Sequence, residues 1–361
     1  MATFGDLVRL ARHLRGLTQQ AAAERLGVAQ AVFSRIENDF IEPDEELQSG
    51  VSRAFDLPRD FFSITDTVYG PPVSVHTMLR GKKSEVTRRD VDMITAELNI
   101  RLFHLRTFLQ NVNYEPDNEL PMLDVEHYGS VERIATIVRT FWKVQEGPIR
   151  NLTRLMERAG VVVGESDFQG ASVSGVTFAA PGRPPIVLLN RDHPADRLRF
   201  TLAHELGHLV MHRFPTPEME DEANRFASAF LLPPDEMREV FRGRRITLEL
   251  LAALKKEWRV SMQSILMCAQ SVGAVTPNQS RYLWQQISAR GWRTREPVSL
   301  DFEADRPTVF PTILRSHVED LGFRPAELVC MSRIGDANFV RFYGSFEDQK
   351  QPTRPRLRIV N

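Results

Sequence analysis

Cysteine is nearly absent. Cys268 and Cys330 are the only two, neither has a close companion, and so a CxxC metal or redox motif and a disulfide framework are both excluded, leaving reduced structural thiols. No apolar run approaches the roughly 18 residues of a membrane-spanning helix, and the opening MATFGDLVRLARHLRG has neither an apolar signal core nor a small-residue cleavage site. A cytoplasmic protein with no membrane partner is the expectation. Charge of one sign is missing too: 46 Lys and Arg face 47 Asp and Glu, a net charge of -1, so binding to a polyanion must come from a local patch. Internal repeats and low-complexity tracts are lacking as well. What is present is ordinary globular material, 42% apolar and 26% charged, which excludes global disorder. A chain of 361 residues exceeds the usual single core, so two or three domains are expected.

Short helical segments fill residues 5–62. Leu7, Leu10, Ala11 and Leu14 recur at helical spacing, Thr18 fits an N-cap ahead of QQAAAERL, and Gly27 breaks that helix. Further helices over 29–38 and 46–55 complete an all-helical unit over 1–65. VYGPPVSVHTMLRGKKSEVTRR is rich in Pro, Gly and charge and reads as a connector. Within 66–130, DVDMITAELNIRLFHLRTFLQNV sets Met93, Ile94, Leu98, Leu102, Leu105 and Leu109 near one face, which suits a long packed helix or a homodimer contact. Two amphipathic helices and β-branched runs at 161–163, 174–178 and 185–189 open a segment over 131–240, a helical extension covers 241–295, and 296–361 carries no assigned role. The fold class is mainly α with a small β-sheet.

A helix from about 193 to 212, with Asp192 as its cap, carries His204-Glu205-Leu206-Gly207-His208. Histidines four residues apart project from one face, while Leu202, Leu206 and Leu209 line another. Two neutral imidazoles supply half of a tetrahedral Zn²⁺ shell, and the Glu between them stands beside the remaining positions, placed to act on water rather than to bind metal. PTPEMEDEANRFASAFLLPP reads as a returning helix with Thr216 at its N-cap and Pro217 first inside. An acid from it would complete three ligands. Glu222, sharing a face with Phe226 and Phe230, is the first choice, Glu218 the second, and Glu220 with Asp221 a solvated charge run. His212 reads as a helix-end histidine beside the dipole, with a fourth ligand or a supporting donor as the alternative. Asn224 and Arg225 are candidate contacts to the ligands.

FTLAHELGHLVMHR followed by EDEANRFASAFLLP closely resembles the ImmA/IrrE family of zinc metallopeptidases, over about residues 147–234. The resemblance implies an α+β zincin-like domain holding one Zn²⁺ per chain on His204, His208 and Glu222, with Glu205 as the base. It also implies a protein substrate, usually a cognate repressor. GLTQQAAAERLGVAQAVFSRIEN resembles the XRE (Cro/repressor-type) helix-turn-helix, which implies a five-helix repressor-like domain on double-stranded DNA; Ala29 stands where that pattern has serine. In such a module Gln30, Ala31, Ser34 and Arg35 read base edges and Gln19 makes a phosphate or base contact from the preceding helix. Residues 1–65 hold seven Lys or Arg against ten Asp or Glu, so phosphate neutralisation calls for dimerisation or a basic supplement such as Arg80, Lys82, Lys83, Arg88 and Arg89.

These readings combine into a DNA-binding regulator with a zinc endopeptidase domain that cleaves a partner such as a repressor or antitoxin. Two other classes compete: a non-proteolytic regulator or antitoxin using the peptidase fold as sensor or scaffold, and a helix-turn-helix that docks protein rather than DNA; under every one of them the expected fold ends in a C-terminal α/β extension.

Overall fold

A computed structural model describes residues 1–72, 86–345 and, as a backbone strand, 357–359. Arg80, Lys82 and Lys83 lie outside the described residues. No helix among those described is long and apolar enough to cross a membrane. The chain divides into two compact units, and each is discontinuous: residues 1–115, 165–173 and 308–361 make the first, residues 116–164 and 174–307 the second.

The first unit opens with α1 (Phe4–Leu14), α2 (Gln19–Leu26), α3 (Gln30–Glu37) and α4 (Glu45–Phe55), followed by a 3-10 turn at Arg59–Ser63. Thr3, Thr18 and Asp44 cap α1, α2 and α4 by accepting backbone N–H groups. Gly27 ends α2 at φ 76°, a left-handed turn natural to glycine that lets α3 leave at the angle of a helix-turn-helix. Leu7, Leu10, Leu14, Ala22, Phe33, Ile36, Val51 and Phe55 form the core, with the Phe33 and Phe55 rings edge-on at 6.3 Å.

The long helix α5 (Arg88–Phe108) packs on α1. It is buried on more than one face, with Glu97, Asn99, Arg101 and His104 as enclosed as Leu98 and Leu102. The structure therefore makes it a core element of this unit. Its polar groups are paired: Arg101 reaches Glu97 at 2.7 Å, the Glu165 carbonyl at 2.7 Å and the Phe342 carbonyl at 3.2 Å, while His104 bridges the Tyr343 hydroxyl at 2.6 Å and the Ser332 carbonyl at 2.8 Å. Phe342, Tyr343 and Ser332 come from the C-terminal stretch, which the sequence left without a role. There it folds as α15 (Val309–Glu319), α16 (Pro325–Ser332) and α17 (Gly335–Tyr343), and β5 (Leu357–Ile359) pairs antiparallel with β1 (Val112–Tyr114). The sequence segments 1–65, 66–130 and 296–361 thus contribute to one compact body, in which buried polar side chains of α5 find acceptors in distant parts of the chain as well as within the helix.

The second unit contains, in order, α6 (Val125–Tyr128), α7 (Val131–Phe141), α8 (Leu152–Arg158), β2 (Val162–Ser166, its last two residues grouped with the first unit), β3 (Gly175–Phe178), β4 (Ile186–Asn190), α9 (Ala195–Met211) and α10 (Met219–Leu231). Then come α11 (Pro234–Phe241), α12 (Leu248–Trp258), α13 (Met262–Ser271) and α14 (Pro277–Ala289). The sheet runs β2-β4-β3, with β3 and β4 antiparallel and Thr177 opposite Val187. One apolar core joins Val138, Trp142, Val163, Val187, Leu202, Leu206, Phe226, Phe230 and Leu251.

Candidate metal centre

α9 and α10 are the most closely associated helices in the unit, and Gly207 is the reason. A Cβ there would meet the Ala223 Cα and Phe226 Cδ1, each at 3.2 Å, so the two backbones approach more closely than a larger residue would allow without a shift of a few tenths of an ångström. Leu202, Ala203, Leu206 and Val210 bury one side of α9. His204 and His208, one turn apart, are left on the ridge that faces α10.

α9 starts at Ala195 with no side-chain cap rather than at 193 behind Asp192. α10 begins at Met219 with Glu218 as an uncapped N-cap, where Thr216 and Pro217 were expected. Its first helical hydrogen bond runs from Glu222 N to the Glu218 carbonyl, so the chain between His212 and Pro217 is a loop. Glu220, Asp221 and Glu222 all fall in the first turn of α10, where their charges complement the positive end of the helix.

The later start rotates the acids relative to the histidines. Glu220 Oε2 lies 3.5 Å from His204 Nε2, and Glu220 Oε1 lies 3.5 Å from His208 Nε2. The two Nε2 atoms are 3.0 Å apart. His204, His208 and Glu220 form the cluster able to share a metal ion, their donor atoms all within 4.8 Å of one another. Glu222 is carried away from that point: its Oε2 sits 3.0 Å from His212 Nε2. Glu218 is exposed at the helix start. The carboxylate placed at the histidine pair is therefore Glu220, which periodicity had assigned to solvent, while Glu222 stands at His212. The missed signal is Asn224: Glu220 and Asn224 are one turn apart, and Asn224 Oδ1 meets His204 Nδ1 at 3.0 Å, so both face the same ridge. Arg225 instead grips Glu132 on α7 at 2.8 and 3.0 Å.

Glu205 is enclosed, 1% exposed, and its Oε2 accepts a 2.6 Å hydrogen bond from the Thr177 hydroxyl of β3. Nothing in the sequence pointed to Thr177, because the contact joins a strand to a helix 28 residues later. Burial raises the Glu205 pKa, while His204 and the Thr177 bond pull it down. At His204 burial works against the charged ring, yet the Glu220 bond, the Glu205 charge and Asn224 raise its pKa overall. His208 is lowered, by burial first and by the neighbouring His204 charge second, as two rings in direct contact require. At His212 burial outweighs Glu222 and lowers the pKa.

The donor set fits zinc. Two imidazole nitrogens and one carboxylate are the ligand types of an open catalytic site, and Zn–N bonds of about 2.0–2.1 Å at the tetrahedral angle put donors roughly 3.3–3.4 Å apart. The observed separations of 3.0 and 3.5 Å bracket that value.

In the helix-turn-helix, Gln30, Ala31 and Arg35 are exposed on α3 and Ser34 is half-buried. Gln19 is not a free contact. Its Nε2 donates to Glu37 at 2.7 Å and its Oε1 accepts from Gln30 Nε2 at 3.0 Å, while Arg12 holds the buried Glu37 at 2.6 Å. The structure thus brings Gln19 and Gln30 together and fixes the amide of Gln30 from behind.

Residues 156–268 match the IrrE N-terminal-like domain, a peptidase family, and residues 3–60 match a helix-turn-helix domain. Comparison with curated proteins finds no match. The order of the two matched segments agrees with the fusion read from the sequence, and it supports a regulator that combines a DNA-binding domain with a metallopeptidase-like domain.

Proposed function

We propose that this chain, in which a helix-turn-helix precedes an IrrE-like domain, is a DNA-binding regulator that uses one zinc ion to cleave a partner protein such as a repressor or antitoxin. The observation that supports it best is the convergence of His204 Nε2, His208 Nε2 and the Glu220 carboxylate beside a buried Glu205. His204, His208 and Glu220 are the proposed ligands. A zinc ion there supplies Lewis acidity toward a peptide carbonyl and lowers the pKa of water toward about 7. Glu205 takes the proton of the attacking water on one carboxylate oxygen while Thr177 holds the other, and later delivers that proton to the leaving amine. Its raised pKa brings it nearer the working range of a general base. On the DNA side, Gln30, Ala31, Ser34 and Arg35 face base edges, with Gln19 orienting Gln30.

The test starts with metal analysis of the purified chain and continues with Glu205→Gln. The variant is expected to hold zinc as the parent does and to lose cleavage of the partner by at least about 100-fold, the usual scale of a general base. A chain that binds no zinc, or a Glu205→Gln variant that cleaves normally, would overturn the reading.

A further inference from the structure

The histidine ridge of α9 continues one turn past the two rings already described. His212, the residue that closes α9, lies against His208 with ring centroids 5.0 Å apart and planes tilted by 56°, and its side chain is 4% exposed. His212 Nδ1 lies 2.9 Å from His208 Nδ1, and His212 Nε2 lies 3.0 Å from Glu222 Oε2. Both nitrogens of His212 are thereby engaged.

The protons in this chain are fixed one after another by donor and acceptor rules. An ionised carboxylate only accepts, so the proton between Glu222 and His212 belongs to His212 Nε2. The neutral ring then carries a lone pair at Nδ1, and the contact with His208 is a hydrogen bond only if His208 donates from Nδ1. His208 is thereby left with a lone pair at Nε2, the atom that faces His204 Nε2 and Glu220. His204 reaches the same tautomer by another route, its Nδ1–H donating to Asn224 Oδ1.

We infer that His212 and Glu222 form a positioning relay for the metal site, fixing the tautomer and the ring plane of His208 as Asn224 does for His204. The inference rests on the reading of His204, His208 and Glu220 as the ligand set. Partners of this kind, one bond removed from a ligand, typically change metal affinity by about 10–100-fold when lost. The relay explains why two acids so close in sequence, Glu220 and Glu222, are both turned toward histidines. It also gives His212 a role at the metal site, beyond that of a helix-end residue beside a dipole.

Zinc dissociation constants of the full chain provide the test, with His212→Phe removing the acceptor while keeping a flat ring, Glu222→Leu removing the distal acceptor, and Glu222→Gln keeping an oxygen acceptor. The first two are expected to weaken zinc by about 10–100-fold. Glu222→Gln should stay within a few-fold of the parent, and unfolding of the metal-free His212→Phe chain should be unchanged. A ¹⁵N spectrum of the zinc-loaded parent should show His208 protonated at Nδ1 and His212 protonated at Nε2. The relay is overturned if His212→Phe binds zinc like the parent, if Glu222→Gln is as weak as Glu222→Leu, or if His208 carries its proton on Nε2. A parent chain without zinc affinity would remove the ligand set itself, whereas a zinc-binding parent with indifferent variants would remove the relay alone.

Discussion

Glu220 and Glu222 are separated by two positions and therefore by about 200° around a helix, and that rotation gives them different partners. Periodicity favoured Glu222 because it lies one turn from the buried Phe226. The packed side of α10 is centred on Ala223, Phe226, Ala227 and Phe230, and a carboxylate reaches the histidines from its flank rather than its centre. The two histidines and Glu205 were legible because their spacing alone places them. The third acid was not, because it depends on where α10 begins and how far it is rotated against α9. Thr177 is the other residue beyond sequence reasoning. Its hydroxyl lowers the pKa of a carboxyl that burial raises, so in Thr177→Val the Glu205 pKa rises further. As the proposed base, Glu205 works only when ionised, and the acid limb of the pH profile of kcat/KM should therefore move to higher pH. A charge-assisted hydrogen bond is worth about 1.5–3 kcal/mol. Since about 1.4 kcal/mol is tenfold in an equilibrium, kcat/KM on that limb should fall about ten-fold or more. An unshifted acid limb would detach Thr177 from the base.

At the scale of elements, α9 and α10 were foreseen as a pair, and so were the small sheet and the helices from α11 to α14, all carried by apolar period and by Pro and Gly punctuation. Capping chemistry misplaced the entrances of α9 and α10, since neither helix uses a side-chain cap. The separation of the two helices is set at Gly207. Replacing it with Ala would gain about 1 kcal/mol of helix propensity. The new methyl, 3.2 Å from the Ala223 Cα, would cost about 1–3 kcal/mol of overpacking against backbone that cannot rotate away. A net destabilisation of about 1 kcal/mol is expected in thermal unfolding of the metal-free chain. Zinc affinity should fall with it, because the ligands sit on both helices and metal sites tolerate errors of only about 0.5 Å. Gly207→Ala with raised stability and full zinc affinity would show that the close approach is incidental.

For the whole molecule, the sequence displayed its two matched segments but not the first unit's full extent. Helical period in α5 suggested a single apolar stripe; the buried Glu97, Arg101 and His104 on its other sides are legible only once the C-terminal helices are in place. Arg101→Met isolates this effect. It strips Glu97 of its buried cation and leaves the Glu165 and Phe342 carbonyls unpaired, which should cost about 3–5 kcal/mol in the unfolding of the first unit. The zinc affinity of the second unit, whose ligands share none of these contacts, should be unchanged, as calorimetry combined with a zinc titration would report. The division of the chain also sets an order of maturation. Every residue of the second unit has been synthesised by position 307, whereas the first unit still awaits the stretch that carries Ser332, Phe342 and Tyr343. In synthesis from the N-terminal side, α9 and α10 are therefore complete while α5 of the first unit still lacks its partners at Ser332, Phe342 and Tyr343.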